Sequence, residues 1–155
     1  MRITQWGEYG LHFSTFVASK TAQGQVIGAQ EIATAQGVAL DYAQQILQRL
    51  RKGGILESVR GPQGGYRLTK TPTEITVRDI LIAAEGDTFE IICETKPLDN
   101  VRCHEGTVCA LRGLWRDLKT HVDQFLSDRT LADLVAIENS PETPVQIARH
   151  TADAA

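Results

Sequence analysis

The chain lacks the segments that would place it in or across a membrane. It contains no apolar run approaching the roughly 18 residues that span a bilayer. Its first residues, Met1-Arg2-Ile3-Thr4, lack the apolar stretch of a signal peptide, so a cytoplasmic location without a membrane partner is expected. Five prolines and thirteen glycines among 155 residues do not suggest disorder. With 42% apolar residues the chain can bury the modest core of one domain.

Signatures of catalysis are also missing. The sequence shows no Ser/His/Asp order, phosphate loop or paired-carboxylate motif. The glycines between Gly61 and Gly65 lie in a predicted hairpin and not before a helix, so they form a poor phosphate cradle. The sequence therefore predicts a protein that is not an enzyme.

The charge is divided unevenly along the chain. The net charge is −3, but residues 1–78 hold nine basic and five acidic residues, which is a net of +4. Residues 79–155 hold seven basic and fourteen acidic residues, a net of −7. A basic half and an acidic half indicate two tasks in one chain, and DNA is expected to meet only the first half.

The apolar periodicity predicts a mostly α fold with a small β-wing. Helix–turn–helix followed by a two-stranded ribbon is the winged helix-turn-helix order, and a long dimerisation helix follows it. Helices are expected over 4–20, 30–35, 41–52, 76–85 and 109–126, with another starting near 128, and strands over 55–60 and 66–68. The predicted units are a winged helix-turn-helix DNA-binding domain (1–86), a cysteine-bearing cluster loop (87–108), the dimerisation helix with a short following helix (109–139) and a flexible tail (140–155).

The third helix and the ribbon carry the candidate DNA contacts. Glutamine can pair with adenine edges, and arginine with guanine or phosphate. We therefore predict that Gln44, Gln45 and Arg49 read or approach bases. Arg60 and Arg67 lie beside flexible glycines and are expected to anchor the wing on operator DNA. A surface helix with solvated charges and an ordinary hairpin is the simpler alternative.

The helix over 109–126 is strongly amphipathic. Its apolar residues follow the i, i+3, i+4, i+7 rule, and such a helix at the end of a small domain needs a partner. A second copy is the simplest one, so a homodimer is predicted. Four residues are expected to be buried against the partner helix: Leu114, Trp115, Leu118 and Val122.

The three cysteines are clustered. Cys93, Cys103 and Cys109 are separated by nine and five residues, and an odd number argues against a disulfide framework. Thiolates bind iron clusters or zinc, and a helix N-terminus such as that at Cys109 stabilises negative sulfur. The tight cysteine pairs of zinc sites are absent. Zinc binding, plain thiol sensing, an iron–sulfur electron carrier and simple buried cysteines are the alternatives.

Several motifs resemble the bacterial winged-helix family of iron–sulfur regulators, the IscR-, NsrR- and RirA-like transcriptional regulators. The most specific is the wing, Val59-Arg60-Gly61-Pro62-Gln63-Gly64-Gly65-Tyr66-Arg67-Leu68. Met1-Arg2-Ile3-Thr4, Leu40-Asp41-Tyr42 and Leu131-Ala132-Asp133-Leu134 extend the match over roughly residues 1–135. The resemblance implies a homodimeric repressor or activator on a near-palindromic operator, with Cys93, Cys103 and Cys109 holding an iron–sulfur cluster.

The same resemblance suggests the fourth cluster ligand. Members with a 2Fe–2S cluster place a histidine three residues after the last cysteine, and here that residue is Arg112. The nitric-oxide sensors use a carboxylate near residue 8 of the partner subunit, and here residue 8 is Glu8. A 4Fe–4S cluster with Glu8 is therefore preferred, with 2Fe–2S and His104 as alternatives. Iron, nitric oxide, redox state and cluster supply are all open as the signal.

Overall fold

The computed structural model describes residues 3–21, 25–91, 94 and 109–140. Cys93, Cys103, His104 and nearly all of the predicted tail lie outside the described residues. The predicted mostly α fold with a small β-wing is confirmed. In chain order the elements are α1 (Gln5–Thr21), α2 (Ala29–Ala35), α3 (Leu40–Lys52), β1 (Leu56–Val59), β2 (Gly65–Leu68), α4 (Val77–Glu85), α5 (Ala110–Ser127) and α6 (Leu131–Glu138).

The first three helices share one core. Phe13 of α1, Ile32 of α2, and Ile46 and Leu50 of α3 are all completely buried. The turn between α2 and α3 passes through Gly37, whose φ of +66° favours glycine. This tight turn sets α3 across α2 as the second helix of a helix-turn-helix.

The wing is a two-stranded antiparallel ribbon attached to the helical core. Its register runs from Leu56 opposite Leu68 to Val59 opposite Gly65. Tyr66 also exchanges two backbone hydrogen bonds with Ile27, at 2.8 and 3.0 Å. A Cβ on Gly65 would lie 2.3 Å from the carbonyl oxygen of Ile27, so this close approach requires glycine. The base of the wing is therefore held against the segment before α2.

Helix α4 joins the core formed by α1–α3 to the C-terminal part. It begins one residue later than predicted because Thr76 is its N-cap: Thr76 and Asp79 exchange hydrogen bonds at 3.1 Å in a capping box. Ile80 and Ala84 are completely buried, and α4 packs against α1, α3 and α5.

Helices α5 and α6 behave differently from each other. No residue of the 18-residue α5 is buried. Helix α6 starts at Leu131, after its N-cap Thr130, and so three residues later than the predicted start near residue 128. Leu131 is completely buried, and its N–H donates to the carbonyl of Ile75 at 2.8 Å. The chain thus returns to the N-terminal core after α5. No helix in the described ranges is long and apolar enough to cross a membrane.

Candidate nucleic-acid interface and sensor site

A polar groove lies between α3 and the wing. Its volume is about 580 Å³, and it contains the predicted base-reading pair Gln44 and Gln45. The complete lining is Asp41, Gln44, Gln45, Gln48, Arg51, Ser58 and Tyr66. The sequence prediction did not select Asp41, Gln48 and Arg51, although their spacing from Gln44 and Gln45 places them on the same helix face. Amides, a guanidinium and a carboxylate together offer the groups that recognise base edges.

Arg49 does not line this groove and instead contacts α1 and α4. Its guanidinium lies 4.3 Å from the centre of the Trp6 ring and donates a hydrogen bond to the Ala84 carbonyl at 2.9 Å. These contacts tie the recognition helix α3 to α1 and α4. A DNA contact by Arg49 stays a prediction, and the structure gives this side chain an intramolecular role.

The two wing arginines differ in their partners. Arg67 lies opposite Glu57 in the ribbon, and its Nε is 2.6 Å from Glu57 Oε1. Arg60 is exposed at the end of the ribbon and has no ion-pair partner among the residues described. Arg60 is therefore the more available of the two cations, while the DNA contact of each stays a prediction.

Glu8 lies on the exposed side of α1. Its side chain is 65% exposed, and its Oε1 is 3.7 Å from His12 Nε2, one helical turn further on. The neighbouring aromatic residues point the other way: Trp6 and Tyr9 pack on Tyr42 of α3 with ring centroids 5.4 and 5.6 Å apart. A carboxylate open to a ligand therefore lies among residues that contact the recognition helix.

The start of α1 is held by Glu85 at the end of α4. Glu85 Oε1 accepts hydrogen bonds from the N–H groups of Thr4 at 2.7 Å and Gly7 at 3.0 Å. A Cβ on Gly7 would lie only 2.2 Å from that oxygen, so a larger residue here would displace the Glu85 side chain. The orientation of α1, and with it of Glu8, is therefore coupled to α4.

Cys109 is the one predicted cysteine ligand within the described residues. It is the half-buried N-cap residue of α5 and forms no disulfide with a described residue. The described ranges contain no group of three or more His, Cys, Asp or Glu side chains that could hold a metal ion. The chemistry of the predicted donor set, three thiolates and one exposed carboxylate, fits an iron–sulfur cluster.

The segment that leads toward Cys93 is anchored by charges. Lys119 of α5 binds Asp87 at 2.7 Å and the Phe89 carbonyl at 3.0 Å. Asp123, one turn after Lys119, lies 3.4 Å from Arg78 of α4 and also accepts a hydrogen bond from Thr88. This network joins residues 87–89 to both helices.

Both carboxylates in this network are held in the ionised form. Burial raises the pKa of Asp123, but hydrogen bonds from Thr88 and Arg78 and the charge of Lys119 outweigh it, so the pKa lies below its ordinary value. The pKa of Asp87 is also lowered: burial raises it, and the hydrogen bond from Lys119 together with backbone N–H donors outweighs that effect.

A helix-turn-helix with a polar groove beside a glycine-rich wing defines a winged-helix DNA-binding protein. The sequence model of Rrf2, described as an iron-dependent transcriptional regulator, matches residues 3–137. The chain therefore belongs to the Rrf2 family of transcriptional regulators. This confirms the predicted family, and the protein is a DNA-binding regulator and not an enzyme.

Similar proteins are regulators too. The HTH-type transcriptional regulator IscR of Serratia proteamaculans (strain 568) is 38% identical over 135 residues, which cover 87% of this chain and 79% of that protein. The structure of CymR, the global cysteine regulator of B. subtilis, matches with a TM-score of 0.70 and 29% identity over 88% of this chain and 98% of its own. The structure of T. potens IscR matches with a TM-score of 0.68 and 26% identity over 93% and 94%.

Proposed function

We propose that this protein is a homodimeric regulator whose affinity for operator DNA is controlled by an iron–sulfur cluster. Cys93, Cys103 and Cys109 would hold the cluster, with Glu8 of the partner subunit as the fourth ligand and 4Fe–4S as the preferred type. The donor set supports this proposal, as do the iron-dependent description of the family and the similarity to IscR. When bound, the cluster would supply a group that responds to iron, nitric oxide or redox state.

The observation that carries the proposal is the packing of α1 on the recognition helix. Glu8 lies between Trp6 and Tyr9, and both rings pack on Tyr42 of α3. Trp6 also stacks on Arg49 of the same helix. A shift of α1 caused by a ligand on Glu8 would therefore be passed to α3 through the contacts of Trp6 and Tyr9, since packed interiors deform little.

A second connection starts from the cysteine side. Cys109 precedes α5 directly, and Lys119 and Asp123 of α5 bind residues 87 and 88 and Arg78 of α4. Because α4 packs against α3, a change at the cysteines would also reach the DNA-binding core. A coupling of about 1–3 kcal/mol would change operator affinity roughly 5- to 150-fold.

The homodimer is supported by an apolar face of α5 that the described residues leave exposed. Leu111, Leu114 and Phe125 are 60%, 55% and 59% exposed, and Trp115 and Leu118 lie between them on the same face. An apolar stripe of this size marks an interaction surface. A second copy of α5 would cover it and would place two recognition helices for two half-sites of one operator.

The test is an anaerobic titration of operator DNA with holo-protein, apo-protein and Cys103→Ala. We expect iron and acid-labile sulfide in the purified wild type, and a 5- to 150-fold difference in affinity between the holo form and the other two. Glu8→Gln should destabilise the cluster, whereas Glu31→Gln, an acid on α2, should leave it intact. Equal affinities in all three forms without iron or sulfide would refute cluster control.

The wing contacts have their own test. We propose that Arg60 and Arg67 anchor the wing, with Gln44, Gln45 and Arg49 near the bases. Arg60→Ala should weaken binding and reduce the slope of log affinity against log salt by about one unit, because one phosphate contact is lost. Arg67→Ala should have the smaller effect since Glu57 already neutralises that charge. Unchanged operator affinity for both variants would contradict the wing assignment.

A thiol-based sensor on the same fold is the second candidate. It is favoured by the match to CymR, which is described as a global cysteine regulator, and by the partly exposed Cys109 thiol. For this candidate, iron-free protein should change its operator affinity on treatment with an oxidant. Intact-mass spectra would then show a modified cysteine, and Cys109→Ser would lose the response.

A further inference from the structure

The acidic residue in the recognition groove, Asp41, has no partner within the part of the chain that the structure describes. Three helices start with an aspartate in the first turn: Asp41 in α3, Asp79 in α4 and Asp133 in α6. Asp79 and Asp133 complete capping boxes with the threonines before them. Helix α3 instead follows Ala39, which has no side-chain cap, and Asp41 makes no hydrogen bond or ion pair with any residue the structure describes.

Asp41 is also placed where bases are read. It is exposed, it lies in the first turn of the recognition helix, and it lines the same groove as Gln44 and Gln45. Residues at the N-terminal end of a recognition helix are those that contact base edges. A carboxylate at this position is repelled by the DNA phosphates, so binding requires a compensating donor on the DNA.

The chemistry of base edges determines which donor fits. An ionised carboxylate only accepts hydrogen bonds. In the major groove guanine presents two acceptors, thymine an acceptor and a methyl group, and adenine an acceptor beside its amino group. Cytosine alone presents an amino donor without an adjacent acceptor. We infer that Asp41 is a specificity-determining residue that selects a cytosine in each operator half-site.

The inference rests on operator binding and is independent of the cluster. Its test is selection from a randomised double-stranded DNA library with the full-length wild type, Asp41→Ala and Asp41→Asn. The wild type should enrich a cytosine at one position per half-site, with about tenfold discrimination measured on purified duplexes. Asp41→Ala should lose the preference at that position only, and Asp41→Asn should shift it toward adenine, which pairs with an asparagine amide.

Glu31→Gln is the matched control, because Glu31 is an acid in the first turn of α2 that does not line the groove. It should leave the preference for every base unchanged. An unchanged cytosine preference in Asp41→Ala would overturn the inference. So would an equal loss at all positions with a lower melting temperature, since that result indicates a purely helix-stabilising role. Failure of the wild type to enrich any motif would refute operator binding itself, and with it this inference.

Discussion

The winged-helix core and helix α5 are built on opposite principles. In the core, side chains from three helices are completely buried on one another, as Phe13, Ile32 and Leu50 show. Helix α5 has an equally regular apolar stripe, yet none of its residues is buried. Amphipathicity alone therefore does not tell whether a helix is covered by its own chain or by another one. The core is covered within one chain, whereas the described residues leave the apolar stripe of α5 exposed, and the proposed partner would cover it.

The largest expected effect separates folding from association. Phe13→Ala should lower the free energy of unfolding by roughly 3–5 kcal/mol, because it removes a completely buried ring. Leu111→Ala on the exposed stripe should change the unfolding free energy of the monomer by less than about 0.5 kcal/mol. Urea denaturation at a concentration low enough to give monomers measures both. Similar losses of unfolding free energy for the two variants would contradict the distinction between a buried core and an exposed α5.

The next effect concerns the dimer. Leu118→Asp should give monomers that lose about 100-fold or more in operator affinity, because the two half-sites are then bound independently. Thr120→Asp places the same charge on the opposite face of α5 and should remain dimeric. Sedimentation at micromolar concentration and gel shifts provide the measurements. A wild type that sediments as a monomer would refute the proposed dimer.

A smaller effect distinguishes two arginines on α3. Arg51 lines the groove, whereas Arg49 stacks on Trp6 and binds the Ala84 carbonyl. Arg51→Ala should weaken operator binding without changing stability. Arg49→Ala should lower the free energy of unfolding by about 1–2 kcal/mol, since it removes a cation–π contact and a hydrogen bond. The reverse pattern in thermal melts and gel shifts would indicate that Arg49 contributes more than Arg51 to DNA binding.

The smallest effect is the pH dependence of the Lys119 network. The pKa values of Asp87 and Asp123 are lowered in the folded state. These groups therefore stabilise the fold fully when the pH is above their ordinary pKa of about 4. That contribution is lost as the pH falls through the lowered folded-state pKa. Lys119→Met should therefore cost about 0.2–1 kcal/mol near neutral pH and progressively less in acid, because partly exposed pairs are weak. Lys52→Met is the control, and a difference from wild type that stays constant with pH would exclude this explanation.

Much of this architecture could be predicted from local patterns. The helix periods, the turn at Gly37 and the glycine-rich wing each depend on neighbouring residues, and all are found in the structure. The predicted starts of α4 and α6 are one and three residues too early. Thr76 and Thr130 are the N-cap residues of these helices, so the helices begin only at the residues that follow them. Whether a residue caps a helix or is its first residue depends on the backbone conformation of that one residue, and apolar periodicity does not predict it.

The sequence pattern could not predict which polar side chains of α3 line the groove and which contact other helices. Gln44, Gln45 and Arg49 were expected to act together, because all three lie off the apolar face of α3. Only the tertiary structure places Trp6 and the Ala84 carbonyl beside Arg49, and Ser58 and Tyr66 of the wing opposite Asp41 and Arg51. These neighbours lie on other helices or on the wing, and the Ala84 carbonyl is 35 residues from Arg49, so the apolar spacing within α3 does not reveal them.

The sequence by itself determined the family, the order of the elements, the amide-rich recognition helix and the clustered cysteines. These follow from residue types and short spacings, which act through local backbone and side-chain preferences. The tertiary structure alone decided that Glu85 holds the start of α1, that Leu131 returns the chain to the core and that the described residues leave the apolar stripe of α5 exposed. Each of these depends on which surfaces meet after the chain has folded, and that is a property of long-range packing.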